Sequence, residues 1–410
     1  MNTGIILQTR RGVYVLALLF AFSLPLAARE GEDNIRIGDL NLNLTGSLTQ
    51  SYDSNIGLSS EEPRSDWITQ LGFRLGGSIE LTEINSLRLS IGTEYRKYWE
   101  NPQYDSHKNS LALTPETGLE LLFQAGNFDF RLYDDFSLLS QPGDQRFFDP
   151  NSGTSLGDIV LYERMRNRLG LDAVWTINPY WNANAGLSRR DVMPLDNQFR
   201  NLERHSYLAS LGLTHNLAAN LDVYGQLSGS VDSWRTDFQP DSSSQTVGVG
   251  ANWKATDFLE SEVFLAWTRR SFDSKAGNQD PTRDTSGLTG NIELTHLINP
   301  DWQHSLRYSR SIDLGSISNE LTVQNATYRI DYAGFERSDL FLSVFWEEGT
   351  ESGIISPEGY DRWAFRTGLG YPLSQKLAFS SFYEHTFRDS NIQGRNFSRN
   401  RVSVTLTYSF

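Results

Sequence analysis

The amino-acid sequence predicts an all-β fold, a transmembrane, antiparallel, up-and-down β-barrel of about 18 strands, with about 16 as the alternative. Three observations support this prediction. Apolar residues occupy every second position along much of the chain, only 38% of the residues are hydrophobic, and the mean hydropathy is −0.44. A barrel strand needs an apolar side chain only at alternate positions, whereas membrane helices need long apolar runs. The sequence therefore excludes a multi-helix membrane protein.

Composition also excludes several kinds of site and partner. The 410 residues include no cysteine, so thiolate zinc sites, iron–sulfur clusters and cysteine nucleophiles are absent. The net charge of −14 argues against nucleic acid as a partner, because phosphate binding needs a basic surface. We predict no metal site and no cofactor.

The N-terminus has the pattern of a secretory signal peptide. Two arginines precede an apolar run from Val13 to Leu24, and the small residues Ala27 and Ala28 follow it. This run is too short to span a bilayer comfortably, although an uncleaved anchor is the alternative. We therefore divide the chain into a signal peptide (1–28), a short N-terminal segment (29–39) and an outer-membrane barrel (40–410).

Period-2 alternation marks the strands. Leu71, Phe73 and Leu75 share one parity, while Gln70 and Arg74 hold the other, which is a strand pattern and not a helical one. Short connections alternate with long polar ones, as between the two ends of an outer-membrane barrel. The predicted strands are 40–53, 66–82, 86–99, 109–123, 127–140, 158–177, 180–191, 204–217, 221–235, 245–255, 258–272, 285–298, 302–313, 320–333, 337–348, 360–371, 377–389 and 396–410.

Two of these segments depart from the regular pattern. Segment 109–123 contains Pro115, which has no N–H to donate to a neighbouring strand. In segment 320–333 the apolar parity shifts near Asn325. Both segments are predicted as strands.

Tryptophans fall near the ends of the predicted strands, as in the aromatic girdles at the two lipid interfaces of a membrane barrel. Trp234 has the opposite parity. The nine predicted girdle residues are Trp67, Trp99, Trp175, Trp181, Trp253, Trp267, Trp302, Trp346 and Trp363.

The polar parity predicts a wet, charged lumen that suits polar solutes. In a ladder on one strand, Arg164, Arg166 and Arg168 place three guanidinium groups on one wall. The ladder has two interpretations: it attracts anions, or it pairs with acidic residues of neighbouring strands and stiffens the wall. The lumen candidates are Arg74, Arg88, Arg131, Arg164, Arg166, Arg168, Arg307, Arg329, Arg366, Glu94, Asp129 and Glu262.

Catalytic motifs are absent from the sequence: we find no G-x-S-x-G, no H-E-x-x-H and no glycine-rich phosphate loop. The leading hypothesis is therefore a passive channel and not an enzyme. Two alternatives stay open. One is a barrel enzyme acting on lipid or polysaccharide, which requires a Ser/His or paired-carboxylate cluster near one rim and which outward Ser and His residues in register on adjacent strands would favour. The other is a closed structural barrel, which bulky inward side chains or an infolded 141–157 loop would favour.

Two short segments resemble known proteins. Tyr408 and Phe410 end the chain with alternating aromatics, similar to the C-terminal assembly signal of bacterial outer-membrane barrels, although Thr405 stands where that signal often has Gly. Tyr52-Asp53-Ser54-Asn55-Ile56, at the exit of the first barrel strand, resembles the putative β-barrel porin 2 family.

That resemblance implies a channel in the outer membrane of a Gram-negative bacterium, used to export extracellular polysaccharide or to pass small polar solutes. The expected partners are outer-membrane lipid and lipopolysaccharide, the barrel assembly machinery and polysaccharide export components.

Overall fold

The structure, a computed structural model, describes residues 35–105, 112–115, 117–139, 163–195, 197–235, 240–273, 284–314, 320–335, 337–352, 357–392 and 394–410. The predicted signal peptide and the 141–157 loop lie outside these residues. Within the described ranges, no helix is long and apolar enough to cross a membrane.

Strands make up nearly all of the described chain, joined by turns and two 3-10 segments at Pro102–Tyr104 and Asn197–Leu202. The strands are β1 (Ile35–Ile37), β2 (Leu40–Asp53), β3 (Asp66–Thr82), β4 (Asn85–Tyr98), β5 (Ala112–Leu113), β6 (Thr117–Ala125), β7 (Phe128–Leu139), β8 (Arg164–Asn178), β9 (Trp181–Pro194), β10 (Arg204–Ala218), β11 (Leu221–Trp234), β12 (Ser242–Thr256), β13 (Leu259–Phe272), β14 (Thr285–Asn299), β15 (Trp302–Asp313), β16 (Glu320–Phe335), β17 (Ser338–Ser352), β18 (Glu358–Pro372), β19 (Leu377–Ser390) and β20 (Phe397–Ser409).

These strands form one closed antiparallel barrel with 18 wall positions, which confirms the predicted strand number and rules out 16. β1 is a short hairpin arm on the start of β2, and it belongs to the segment predicted as the N-terminal tail. β5 and β6 both pair with β4 and share one wall position. Each remaining strand pairs with its neighbours in the chain, so the topology is up-and-down.

The barrel closes where β20 pairs with β2, from Thr45 opposite Ser409 to Asp53 opposite Arg401. The Phe410 N–H donates to the carbonyl of Leu44 at 3.0 Å and extends this seam by one residue. Both ends of the barrel chain therefore lie beside the short turns. We call this end of the barrel the turn end, and the opposite end the loop end.

Asparagines shape two of the turns at the turn end. The Asn178 side-chain oxygen accepts from the N–H groups of Tyr180 and Trp181, at 2.9 and 3.1 Å. The Asn299 oxygen accepts in the same way from the N–H groups of Asp301 and Trp302, at 2.9 and 3.0 Å. The two turns thus share one design, an Asn-Pro sequence in which the asparagine side chain accepts Asx-type hydrogen bonds.

The segment with Pro115 is interrupted, as a missing N–H predicts. The predicted strand 109–123 is described as two pieces, β5 and β6. At the break, the Thr114 N–H donates to the Gly92 carbonyl at 2.8 Å, and the Thr117 hydroxyl accepts from the Gly92 N–H at 3.1 Å. These bonds hold the interrupted strand on β4.

The parity shift near Asn325 does not come from a break in the register. β16 pairs regularly with β15 from Leu321 to Tyr332. Leu321 and Val323 are therefore apolar residues on the inner face, and they are 0% and 2% exposed because they pack with Tyr360 of β18. Part of the lumen at the loop end is thus a small hydrophobic core.

Candidate functional site

The inner face of the barrel is the candidate functional site, and alternation places each side chain on one face. Every lumen candidate predicted from the sequence lies on the inward parity of its strand, opposite to the exposed apolar residues. All nine predicted tryptophans lie on the outward parity, and eight of them are 36–64% exposed, while Trp346 is partly buried. Six lie near strand ends, but Trp267 and Trp363 lie further inside β13 and β18, and Trp346 lies near the middle of β17. Their predicted girdle role rests on this placement.

Ion pairs neutralise much of the lumen near the turn end. Glu120 accepts from Arg131 and also lies 3.4 Å from an Arg88 nitrogen. Arg131 is 3.4 Å from Asp172. Arg307 donates to Glu293 at 2.6 Å. Such cross-strand ion pairs stabilise the wall.

Other predicted lumen residues have their own partners in the wall. Arg329 pairs with Asp331, and Glu94 pairs with Arg96 at 2.6 Å. Glu262 accepts from the Tyr224 hydroxyl at 3.3 Å. Glu262 also helps to line a cavity of about 380 Å³ near the turn end, together with Asp222, Glu260 and Glu293. Arg74 faces the lumen near its middle, and Asp129 faces it near the turn end.

Toward the loop end, in contrast, three inward arginines of β8, β9 and β10 form no ion pair with any residue that the structure describes. Arg168 of β8 lies opposite Arg190 of β9 in the register. Arg204 of β10 lies two residues from Ser206, which is the register partner of Arg190. Among the described residues, none of the three guanidinium groups has a carboxylate oxygen within the 4.0 Å of an ion pair. Carboxylates do lie nearby: Asp135 of β7 is the register partner of Arg168 on its other side, and Asp232 and Asp313 are within electrostatic range of Arg190. We call Arg168, Arg190 and Arg204 the basic triad.

Aromatic rings hold two members of the basic triad in place. The Arg168 guanidinium lies 5.2 Å from the centre of the Tyr133 ring, and that ring packs across Gly170, where a side chain would collide with it. The Arg204 guanidinium lies 5.2 Å from the centre of the Trp234 ring. Trp234, the one tryptophan with inward parity, thus has a lumen role of its own.

Of the basic triad, only Arg168 is among the lumen residues predicted from the sequence. Arg164 and Arg166 stand on the same wall, but both have further contacts and do not count as unpaired. Arg190 and Arg204 lie inside predicted strands with the correct parity. The short turn between β8 and β9 fixes which residues face each other, and that turn length was the signal that could have found Arg190.

Across the lumen, β16 to β20 carry buried ion pairs. Arg362 lies 3.0 Å from Glu347, and Arg388 donates to Glu358 at 2.8 Å. Arg366, a predicted lumen residue, lies between the Phe341 and Phe382 rings, with its guanidinium 5.6 and 4.2 Å from their centres. Large side chains fill this part of the wall and narrow the lumen.

The first loop, residues 54–65, folds into the mouth of the barrel. Ile56 is 1% exposed and packs against Ile68 and Tyr98. Ile68 follows the outward Trp67, and Tyr98 precedes the outward Trp99, so both face inward. The loop therefore lies inside the wall and reduces the opening at the loop end.

The motif at the exit of β2 holds this loop in place. Asp53 accepts two hydrogen bonds from Arg399 Nε, at 3.0 and 2.9 Å, and one from the Asn55 N–H at 3.0 Å. The Asn55 side-chain amide donates to the carbonyls of Ser59 and Ser398, at 2.8 and 3.1 Å. The motif thus ties the first loop to the strand that closes the barrel.

Histidines on the outer wall bond to partners other than serine. His296 and His304 share a hydrogen bond of 2.9 Å. His385 bonds Asn400 at 2.9 Å, and His215 bonds the Tyr180 carbonyl at 3.2 Å. In the part of the chain that the structure describes, no hydrogen bond joins a serine hydroxyl to a histidine.

The C-terminal aromatics sit at the closing seam. Tyr408 is 41% exposed on the outer wall, and its ring centre lies 5.0 Å from that of Phe410. The Phe410 ring lies over Gly46 of β2. The predicted role of these two residues in assembly stays a prediction.

Comparisons with known proteins agree with this architecture. Among solved structures, Pseudomonas aeruginosa OccK2 (OpdF) in complex with glucuronate matches at 12% identity and a TM-score of 0.52, covering 91% of this chain and 99% of the other. The BenF-like porin of Pseudomonas fluorescens Pf-5 matches at 11% identity and a TM-score of 0.52, covering 91% of this chain and 100% of the other. Pseudomonas aeruginosa OccK5 (OpdH) matches at 13% identity and a TM-score of 0.51, covering 91% of this chain and 99% of the other.

At these identities the likeness shows the fold. A search of curated proteins found no match. The sequence profile of the family described as "Putative beta-barrel porin 2" matches residues 34–410, nearly the whole described chain. The chain therefore belongs to the putative β-barrel porin 2 family, and it is a porin of the Gram-negative outer membrane.

Proposed function

We propose that this porin passes small anionic solutes, carboxylates above all, and that the basic triad sets the preference. The observation that carries the proposal is the triad itself, three inward guanidinium groups on adjacent strands without a carboxylate partner among the described residues. Ion pairs compensate part of the other lumen charge, and Asp222, Glu260, Glu262 and Glu293 line an acidic cavity at the far, turn end. The triad therefore supplies a fixed positive field to a solute that enters from the loop end.

Fixed charges of one sign in a narrow pore enrich counter-ions of the other sign. The guanidinium group suits carboxylates in particular, because its N–H donors match the two carboxylate oxygens in a bidentate pair. Like charges placed opposite each other in a sheet destabilise it, so an anion in the lumen would relieve this repulsion. Glucuronate, the molecule in the OccK2 structure, is a carboxylate of the size that we expect to pass.

Passage needs no cofactor in this proposal, since solutes move down their gradient. The first loop and the filled wall of β16 to β20 restrict the opening to small solutes. Export of polysaccharide, implied by the sequence resemblance, stays a prediction. It would be tested by measuring extracellular polysaccharide in a strain that lacks this porin.

The reversal potential of single channels in planar bilayers tests the proposal. In a KCl gradient, the wild-type barrel should prefer chloride, and Arg190→Glu should reduce or reverse that preference. Arg310→Glu is the matched control, because it makes the same charge change on the outer face of β15. An unchanged preference in Arg190→Glu would remove the basic triad from the mechanism. A wild-type barrel without conductance would favour the closed structural barrel.

A further inference from the structure

We propose that His296 and His304 form a binding site for a divalent transition metal, Cu²⁺ or Ni²⁺, on the outer wall at the turn end. The pair lies outside the lumen, so the site is independent of solute passage. His296 of β14 and His304 of β15 are direct partners in the strand register. Both side chains have the outward parity of Leu294 and Leu306 and are half-buried.

The distance between the two rings fits two bonds to one metal ion. His296 Nδ1 lies 2.9 Å from His304 Nε2. Imidazole nitrogens bind such metals at about 2.0–2.1 Å, so two ligands about 90° apart are separated by about 2.9 Å. The present separation is that of a hydrogen bond, and a rotation of the two rings would turn both lone pairs toward one ion beside the line that joins the nitrogens. Imidazole suits Cu²⁺ and Ni²⁺, and affinity in the divalent series is highest for Cu²⁺.

Tyr328 of β16 orients one of the ligands. Its hydroxyl lies 3.1 Å from His304 Nδ1, the ring nitrogen that faces away from His296. In metal sites, the non-ligating nitrogen of a histidine usually donates to such a partner, which fixes the tautomer with a free lone pair on the ligating nitrogen. With His304 Nδ1–H donating to Tyr328, His304 Nε2 keeps a lone pair on the side of His296, where it can accept a hydrogen bond or, after rotation of the ring, bind a metal ion.

Metal binding to the two histidines does not require a proton to be released when both rings are neutral. In the hydrogen-bonded pair, one of the two facing nitrogens carries a proton. When the metal binds, that proton moves to the other nitrogen of the same ring, and both facing lone pairs become ligands. The remaining coordination positions would be filled by oxygens of water or of lipid phosphate, because the described residues hold no cluster of three or more ligating side chains.

The position of the pair allows these oxygens to reach it. His304 is two residues from Trp302, which is 40% exposed and packs 4.4 Å from Tyr332 in ring-centre distance. Such exposed aromatics lie at the level of lipid headgroups in membrane barrels. The metal would therefore sit just inside the headgroup layer on the turn side, where water and phosphate are available.

Titration of the purified full-length barrel in detergent, without a histidine tag, tests the site with Cu²⁺ as the probe. Electron paramagnetic resonance should show one high-affinity Cu²⁺ per barrel with hyperfine coupling to two nitrogens. His296→Asn and His304→Asn should each weaken binding tenfold or more and leave a single-nitrogen spectrum. Tyr328→Phe should weaken binding about 10-fold and keep the two-nitrogen spectrum.

Two outer-wall histidines serve as controls. His215→Asn removes a histidine at the same end of the barrel, and His205→Asn removes the histidine beside Asp191. Both should leave the affinity and the spectrum unchanged. Channel conductance should be normal in every variant, which shows that each barrel is folded. Equal Cu²⁺ affinity in wild type, His296→Asn and His304→Asn would overturn the proposal.

Discussion

Arg168 of β8 lies directly opposite Arg190 of β9, and neither guanidinium has an ion-pair partner among the described residues. Like charges directly opposite in a sheet cost stability. Wall-stiffening pairs such as Arg307 with Glu293 show that the same barrel compensates charge where it can. Asp135 of β7 lies opposite Arg168 on its other side, and Asp232 and Asp313 are within electrostatic range of Arg190, so the two charges are balanced only in part. Because neither guanidinium forms an ion pair with a described residue, the Arg168–Arg190 pair points to an electrostatic role in the lumen.

Ionic strength should control the anion preference if it arises from this fixed field. The Debye length falls from about 10 Å at 0.1 M salt to about 3 Å at 1 M. We expect the chloride preference, measured as the reversal potential across a constant concentration ratio, to decline as both solutions are made more concentrated. A preference that stays constant with salt would indicate selection by size or by tight ion binding.

Removing the side chain that anchors the first loop should widen the channel. Ile56 is 1% exposed against Ile68 and Tyr98, and burying such a side chain stabilises the packed loop by about 2–5 kcal/mol. We expect Ile56→Ala to raise single-channel conductance, because the loop spends more time outside the mouth. Glu61→Ala, an exposed position in the same loop, is the control. Conductance equal to wild type in Ile56→Ala would show that the loop does not limit the opening.

Most of the fold could be predicted because each strand shows the alternation of apolar and polar residues within its own sequence. The segments 40–53, 66–82 and 302–313 match the bounds of β2, β3 and β15, since alternation and turn residues are local signals. β16 shows the limit of this method. Leu321 and Val323 follow the inward parity, and only their contact with Tyr360 of a distant strand explains why apolar residues stand there.

The candidate site could be predicted only in part, because it depends on contacts between strands. Parity placed Arg168 in the lumen, but the unpaired state of the triad depends on which residues face each other across β8, β9 and β10. The motif around Asp53 was recognised from the sequence, but its role in holding the first loop was not. Asn55 bonds the carbonyl of Ser398, which is 343 residues away, and no local pattern contains that contact.

Gly290 should be intolerant of a side chain. Its φ is +149°, which favours glycine, and a Cβ atom would lie 2.1 Å from the Phe264 carbonyl oxygen of β13. We expect Gly290→Ala to lower the yield of folded barrel, measured by the heat-dependent mobility shift in gel electrophoresis. Gly287→Ala, in the same strand with its nearest atom at 3.5 Å, should fold normally. Equal yields would show that β13 moves to accommodate the added methyl group.

The apolar core inside the lumen should contribute to stability in the way that a soluble core does. Leu321 is 0% exposed beside Val323 and Tyr360, so Leu321→Ala should leave a cavity and lower the free energy of unfolding by about 2–5 kcal/mol. Leu321→Met keeps the volume and should cost less than about 1.5 kcal/mol. Urea unfolding in phospholipid vesicles, followed by tryptophan fluorescence, measures both. If the two variants unfold at the same urea concentration, Leu321 borders open, water-filled lumen, and the loop end is wider than its packing indicates.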